Sequence, residues 1–266
     1  MVHDGRKPSP GRPSVERIAA ALEIVAGRGW LSASELATEL GVDRSTGWRL
    51  ARSLERIGWL YHDPLTRRYR LGLPLFELGT RVLDTLDVRD EARRVMTDLV
   101  ASTGESVDFA VRDGDSVVFI DKIDGTNEVR AFTRSGQRAS LHAAAAGKVF
   151  LAAMPDHELA TYLRRPLVAS TPATVTDPAS IRAIVEETRQ RGWAVNRGEL
   201  FPEAGALAVP VRDATGATVA ALGLNIPLSR LDEDRIRTLV GELEAATRRL
   251  APSLGLDVTL GAPESA

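Results

Sequence analysis

Between Asp43 and Gly58 the chain reads DRSTGWRLARSLERIG. Placed on a helix, Gly47, Leu50, Ala51, Leu54 and Ile57 recur at core-stripe spacing, and Ser45, Trp48, Arg49, Arg52 and Arg56 occupy the opposite face. An arginine fork matches phosphate oxygens and the O6 and N7 edge of guanine, so Arg49 and Arg52 suit duplex recognition. The free N–H groups at a helix start attract phosphate, which puts Arg44, Ser45 and Thr46 where a backbone contact is made. Arg67, Arg68 and Arg70 follow around Asp63-Pro64 as a basic hairpin suited to the DNA backbone or minor groove. The competing reading is a small three-helix domain with a solvated arginine face. A face of one charge sign, a Trp48 that solvent alone would not favour, and the adjoining basic hairpin weigh toward double-stranded DNA.

The elements that must position this face are legible around it. Ser14 caps a helix whose apolar positions are Val15, Ile18, Ala19, Leu22 and Val25. Ser32 and Glu35 form a capping-box pattern opening a short helix that Gly41 stops, and Asp43 caps the next. Two helices across so short a turn make a helix-turn-helix. Trp59–His62 and Arg68–Leu71 read as the two strands of a wing. Pro74 opens a further helix with Leu75, Leu78, Val82 and Leu86 on one stripe, suited to pairing two copies of the chain.

Beyond about residue 104 the period changes. Val107, Phe109 and Val111 alternate with polar residues, Asp113-Gly114 turns, and Val117–Ile123 returns; Glu128–Phe132 is a candidate third strand. Strands at Trp193–Asn196, Leu207–Arg212 and Val219–Asn225 and helices near 88–103, 143–154, 177–190 and 232–250 complete a mixed body. The fold class is α+β: a winged helix-turn-helix, a linker helix and an α/β body with an antiparallel sheet. Domain bounds follow as a disordered basic arm (1–13), the head (14–73), a linker or dimerisation helix (74–87), the body (88–252) and a flexible tail (253–266). The arm carries Gly11-Arg12-Pro13, which fits an AT-rich minor groove or a loose tail equally well.

Net charge is −2 over 266 residues, but residues 1–72 hold 12 Arg/Lys against 8 Asp/Glu and the remainder 22 against 28. A basic head on an acidic body fits local attraction to a polyanion. Zero cysteines exclude disulfides and thiol nucleophiles. No apolar leader or membrane-length run is present, so a cytoplasmic location is expected. His3, His62, His142 and His157 lack metal-ligand spacing, and His142 reads as a capping or packing residue. Asp121-Lys122 reads as a surface pair, and no cofactor, metal or catalytic constellation is expected.

In the body, Leu141-His142 leads into Ala143-Ala144-Ala145-Ala146-Gly147. Small side chains leave the N–H groups of that helix start open to a carboxylate, although on the residues alone close helix–sheet packing is the favoured reading. Asn196 and Asn225 sit at strand ends, with Ala206, Leu207, Gly223 and Leu224 as an apolar wall between them.

The stretches LSASELATELGVDRSTGWRLARSLERIGWL, TRRYRLGLPLFELG, LHAAAAGKVFLA, GWAVNRGELFPEAGALAVPV and AALGLNIPLSRL, in this order, resemble the IclR family of bacterial regulators. The likeness runs from Ser14 to about Leu250. It implies a GAF-like effector-binding body, a homodimer or dimer of dimers, and effector contacts at Ala145, Ala146, Asn196, Ala206, Gly223 and Asn225. Two departures stand out. Gly47-Trp48 replaces the family's β-branched residue and histidine. Asn196, Ala206, Gly223 and Asn225 replace more polar or acidic choices, from which a roomier, less acidic pocket for a bulkier, aromatic organic acid is expected. The function implied is a transcriptional regulator of a catabolic operon, answering to a small organic acid. An architectural DNA binder without effector, and a DNA-binding head fused to an enzyme, are the alternatives.

Overall fold

The computed structural model describes residues 14–84, 89–127 and 133–250, the side chains of 82–90 excepted. The chain divides into two compact units, one ending at Thr85 and the other resuming at Leu86.

In the first unit α1 (Ser14–Arg28), α2 (Ala33–Leu40) and α3 (Arg44–Arg56) enclose Ala21, Val25, Leu36, Leu40, Ala51 and Leu54. The Ser32 hydroxyl accepts the Glu35 N–H while the Glu35 carboxylate accepts the Ser32 N–H, a complete capping box at the start of α2. Gly41, with φ of 66°, ends α2 in the left-handed region that L side chains avoid. Two residues later the Asp43 carboxylate accepts the Thr46 N–H and opens α3. Strands β1 (Leu60–Asp63) and β2 (Arg68–Leu71) pair antiparallel, and Leu31 bridges Tyr69 to extend the wing. Helix α4 (Leu73–Asp84) closes the unit.

The second unit is built on a six-stranded antiparallel sheet, ordered β5-β4-β3-β8-β7-β6. Its strands are β3 (Ser106–Asp113), β4 (Ser116–Ile123), β5 (Arg138–Ser140), β6 (Ala194–Arg197), β7 (Ala204–Arg212) and β8 (Thr218–Pro227). Strand alternation splits their side chains between two cores. Val107, Phe109, Val111, Leu222 and Leu224 pack with α5 (Arg89–Thr103) and α9 (Glu233–Leu250). On the other face Ala110, Ala208 and Ala221 meet α6 (Ala145–Ala153), with α8 (Pro178–Arg191) against it. That second face is lined by small side chains, and the candidate cavity lies there.

Three features depart from the sequence reading. Strand β5 is only three residues long, too short to show a period. Helix α7 (Asp156–Leu163) was announced only by Pro155 and by Asp156 and Glu158 in its first turn. The alanine-rich helix starts at Ala145, because Leu141–Ala143 forms a 3-10 turn instead. The arm, the strand candidate at Glu128–Phe132, the tail and the Val82 and Leu86 side chains lie outside the described residues. Among the described residues no helix is long and apolar enough to cross a membrane, and no group of His, Asp and Glu could hold a metal ion.

Candidate functional site

Helix α3 separates its faces as its spacing dictates. Gly47, Ala51 and Leu54 are buried, while Arg44, Ser45, Trp48, Arg49, Arg52 and Arg56 are exposed. Ile57 departs from the core stripe, at 54% exposure, because the helix ends at Arg56. Gly47 is a packing requirement: a Cβ there would lie 2.4 Å from Ala37 Cβ and 2.9 Å from Ala37 Cα. The absent side chain lets α3 press onto α2 and fixes how far the arginine face projects.

Side-chain partners sort the candidate residues further. The Ser45 and Thr46 hydroxyls donate to Asp43 at 2.6 and 2.7 Å, so a carboxylate holds the place at the α3 start first assigned to a phosphate. Those bonds, with that from the Thr46 N–H, hold the Asp43 carboxyl far below the usual carboxylate range. Arg49 donates to Thr46 Oγ1 at 3.2 Å, and Arg52 pairs with Glu55 at 2.9 Å while lying 5.9 Å from the Trp48 ring centre. Exposed pairs of this kind contribute about 0–1 kcal/mol and exchange readily for other partners.

The wing is divided. Arg68 donates to both Glu35 oxygens at 2.6 and 2.7 Å, tying β2 to the start of α2. Arg70 lies over the Tyr61 and Trp30 rings at 4.7 and 5.6 Å. Arg67 is exposed at the wing turn with φ of 56°, a conformation that costs a non-glycine residue about 1–2 kcal/mol.

In the second unit Ala145, Ala146, Asn196, Ala206, Gly223 and Asn225 line one cavity between the sheet and the start of α6. Ala144, the N-cap of α6, supplies no side-chain cap to the first N–H groups of the helix, and Ala144, Ala145 and Ala146 line the cavity. Leu200 and Phe201, from the loop between β6 and β7, complete the wall with Phe119 and Ala204.

The expected roominess is not met. The cavity is about 20 Å³, space for little more than a water. Neighbouring groups fill the space that a small residue leaves: a Cβ on Gly223 would fall 2.5 Å from Asp108 Oδ1 and 3.2 Å from the Leu207 carbonyl oxygen. The cavity nevertheless holds a carboxylate. Asp108 on β3, absent from the sequence candidates, lines the cavity at 3% exposure, and its Oδ2 accepts from Asn225 Nδ2 at 2.5 Å. Alternation within β3 could have pointed to it, as the one carboxylate flanked by Val107 and Phe109. Asn196 is spent on the protein, donating to the Ala143 carbonyl at 2.5 Å and accepting the Glu199 N–H at 2.9 Å. It holds the entrance of α6 and the loop in place.

Burial pushes the Asp108 carboxyl up to about 6, against the opposing pull of the Asn225 amide, Lys122 and Thr133. Because the folded carboxyl holds its proton to higher pH than the unfolded one, stability falls as pH rises from about 4 to about 6 and the penalty is constant above. Asp108→Asn keeps an acceptor for Asn225 without the buried charge. Urea unfolding at about pH 7 is expected to show the variant about 3 kcal/mol more stable than wild type, with the decline between about pH 4 and 6 flattened. Equal pH profiles would remove this account.

Two further residues acquire roles that sequence alone did not settle. His142 is buried, its Nδ1 2.7 Å from the Tyr162 hydroxyl and its Nε2 3.1 Å from the Val168 carbonyl, a packing histidine. Asp121 is no surface residue: it is 6% exposed and accepts from Arg93 at 3.0 Å and from the Lys122 N–H at 2.8 Å.

Residues 14–64 match the IclR helix-turn-helix domain, and residues 80–251 match the bacterial transcriptional regulator IclR C-terminal domain. The HTH-type transcriptional repressor AllR of Escherichia coli (strain K12) is 31% identical over 249 residues, covering 92% of both chains. The HTH-type transcriptional regulator KipR of Bacillus subtilis (strain 168) is 29% identical over 243 residues, covering 91% of this chain and 97% of its own. Among solved structures, an IclR homolog from Microbacterium hydrocarbonoxydans complexed with 4-hydroxybenzoate superposes with a TM-score of 0.79. It is 26% identical, covering 90% of this chain and 98% of its own. With both units matched, the chain belongs to the IclR family of bacterial transcriptional regulators, DNA-binding proteins rather than enzymes.

Proposed function

We propose that the protein binds operator DNA as a homodimer through the exposed face of α3 and the wing, and that a small organic acid in the sheet–α6 cavity modulates this binding. The carrying observation is the clean division of α3, with Trp48, Arg49 and Arg52 exposed opposite buried Gly47, Ala51 and Leu54. Arg49 and Arg52 read base edges or phosphates, Arg44 flanks them, and Ser45 and Thr46 border the contact from the start of the helix. Arg67 is the wing's contact with the backbone; Arg68 positions the wing. The regulated genes are a catabolic operon.

Support for the effector reading is the meeting of Ala145, Ala146, Asn196, Ala206, Gly223 and Asn225 around one cavity at an uncapped helix start. An aromatic acid is the finer choice, by analogy with the 4-hydroxybenzoate carried by a structural neighbour. Since the cavity is small, Leu200 and Phe201 must give way to a ring. Homodimerisation rests on α4, where Leu73, Phe76 and Leu78 are 69%, 69% and 49% exposed, apolar surface that a second copy would cover.

Replacing Arg49 and Arg52 together with alanine tests the DNA reading. On an operator selected from a random duplex pool, affinity is expected to fall by about a hundredfold or more, and the salt slope by roughly 2. Thermal stability should stay within about 1 kcal/mol, since both side chains are exposed. Wild-type affinity in a folded double variant would overturn the assignment.

A further inference from the structure

We propose that Asp108 makes the cavity select, among organic acids, those with a hydrogen-bond donor besides the carboxylate: a hydroxy acid over its deoxy or keto counterpart. This rests on the reading of the sheet–α6 cavity as the effector site and names the class of acid it takes.

The polar inventory of the cavity is short and directional. At one end stand the N–H groups at the start of α6, which only donate and suit a ligand carboxylate. Asn196 gives one N–H to the Ala143 carbonyl and accepts the Glu199 N–H, which fixes its amide at the entrance of α6, away from Asp108 as a hydrogen-bond partner. That leaves the paired strands β3 and β8, where Asp108 lies opposite Gly223 in register and Asn225 lies opposite Ser106. A Cβ on Gly223 would come within 2.5 Å of Asp108 Oδ1, so the carboxylate fills the place of a side chain at 223. Asn225 occupies Oδ2. Lys122, across from Asp108 in β4 and paired with Asp124 at 2.8 Å, and the Thr133 hydroxyl also draw on the Asp108 carboxylate, but neither lines the cavity.

An ionised carboxylate accepts hydrogen bonds and donates none. A ligand whose second polar group is a hydroxyl completes Asp108, with its carboxylate on α6. A keto oxygen or a bare C–H edge at the same place leaves the buried carboxylate facing a lone pair or nothing. Sites built to bond a hydroxyl reject analogues lacking it far more strongly than apolar pockets reject an extra methylene.

Two matched pairs provide the test: 4-hydroxybenzoate against benzoate, and lactate against pyruvate, titrated by thermal shift into the full-length protein. At least one hydroxylated acid is expected to stabilise wild type at roughly tenfold lower concentration than its partner. In Asp108→Asn, whose side chain can donate as well as accept, that ratio should fall toward one. Gly223→Ala, which must displace the carboxylate, should lower it likewise, and circular dichroism checks that both variants are folded. If benzoate or pyruvate stabilises wild type and neither hydroxylated acid acts at lower concentration than its partner, or if folded variants keep the ratio, the selection by Asp108 is wrong while the cavity remains the effector site. If none of the four acids shifts the wild type, the effector reading itself fails and this inference with it.

Discussion

Gly47→Val is expected to abolish specific operator binding and to lower the melting temperature of the first unit, although Gly47 is buried on the side of α3 away from the arginine face. The opposing effects can be weighed. Removing a glycine from a helix interior gains about 1 kcal/mol for alanine and less for a β-branched residue. Against that, the first added carbon would stand 2.4 Å from Ala37 Cβ, 2.9 Å from Ala37 Cα and 3.2 Å from the Ala33 carbonyl oxygen. Two of those three atoms are backbone of α2, which has no rotamer to yield. Overpacking a well-filled interior costs about 1–3 kcal/mol per offending group, so sterics win over propensity. The valine methyls add to this and force α3 away from α2, carrying Trp48, Arg49 and Arg52 out of register with the groove. Gly47→Ala should show the same sign at smaller amplitude. Combining Gly47→Ala with Ala37→Gly removes the closest contact and should restore most of the stability. A Gly47→Val protein that binds its operator normally would mean that the α2–α3 distance does not set the reading face.

The head was legible because its rules are local. Ser32, Glu35, Gly41 and Asp43 each act within four residues of their place in sequence, and all four do in the structure what those rules require. Exposure on α3 likewise follows from spacing, except at Ile57, which lies past the helix end. What sequence could not show were partners far away in the chain. Arg68 reads as one of three equivalent wing arginines, yet it is fixed by Glu35, thirty-three positions earlier. The cavity shows the same division. The six residues that resemblance named line one cavity, but volume could not be inferred from side-chain size, because small residues allow elements to approach as readily as they leave space. Asp108 escaped notice since its role depends on facing Gly223, a strand pairing separated by more than a hundred residues.

Lys148→Met should strongly destabilise the second unit. Lys148 was one of three lysines in the chain, in an Ala-x-x-Gly-Lys run that lacks the glycines of a phosphate-binding loop. It is 3% exposed on α6 and donates to Glu199 Oε1 at 2.5 Å and to the Val195 carbonyl at 3.0 Å. Desolvation lowers its pKa, with the Glu199 carboxylate as the main opposing pull. Glu199 is 7% exposed and its Oε2 is buried without a hydrogen-bond partner, so the lysine is the principal compensation for that charge. Removing one partner of a buried pair costs about 3–5 kcal/mol, while replacing both can be nearly neutral. Urea unfolding should therefore show a large loss for Lys148→Met and a recovery of at least half of it in Lys148→Met with Glu199→Gln. Independent, additive losses would show that the pair is not coupled. The loop has other anchors: the Thr171 and Thr174 hydroxyls donate to the Gly198 and Glu199 carbonyls at 2.7 and 2.6 Å. Those hydrogen bonds remain in the variant, so the loop should loosen around Glu199 rather than detach. Leu200 and Phe201, the next residues along, form a wall of the cavity. The double variant is thus expected to regain stability before it regains ligand response, because a neutral glutamine beside methionine no longer ties that wall to the helix whose N–H groups face the ligand.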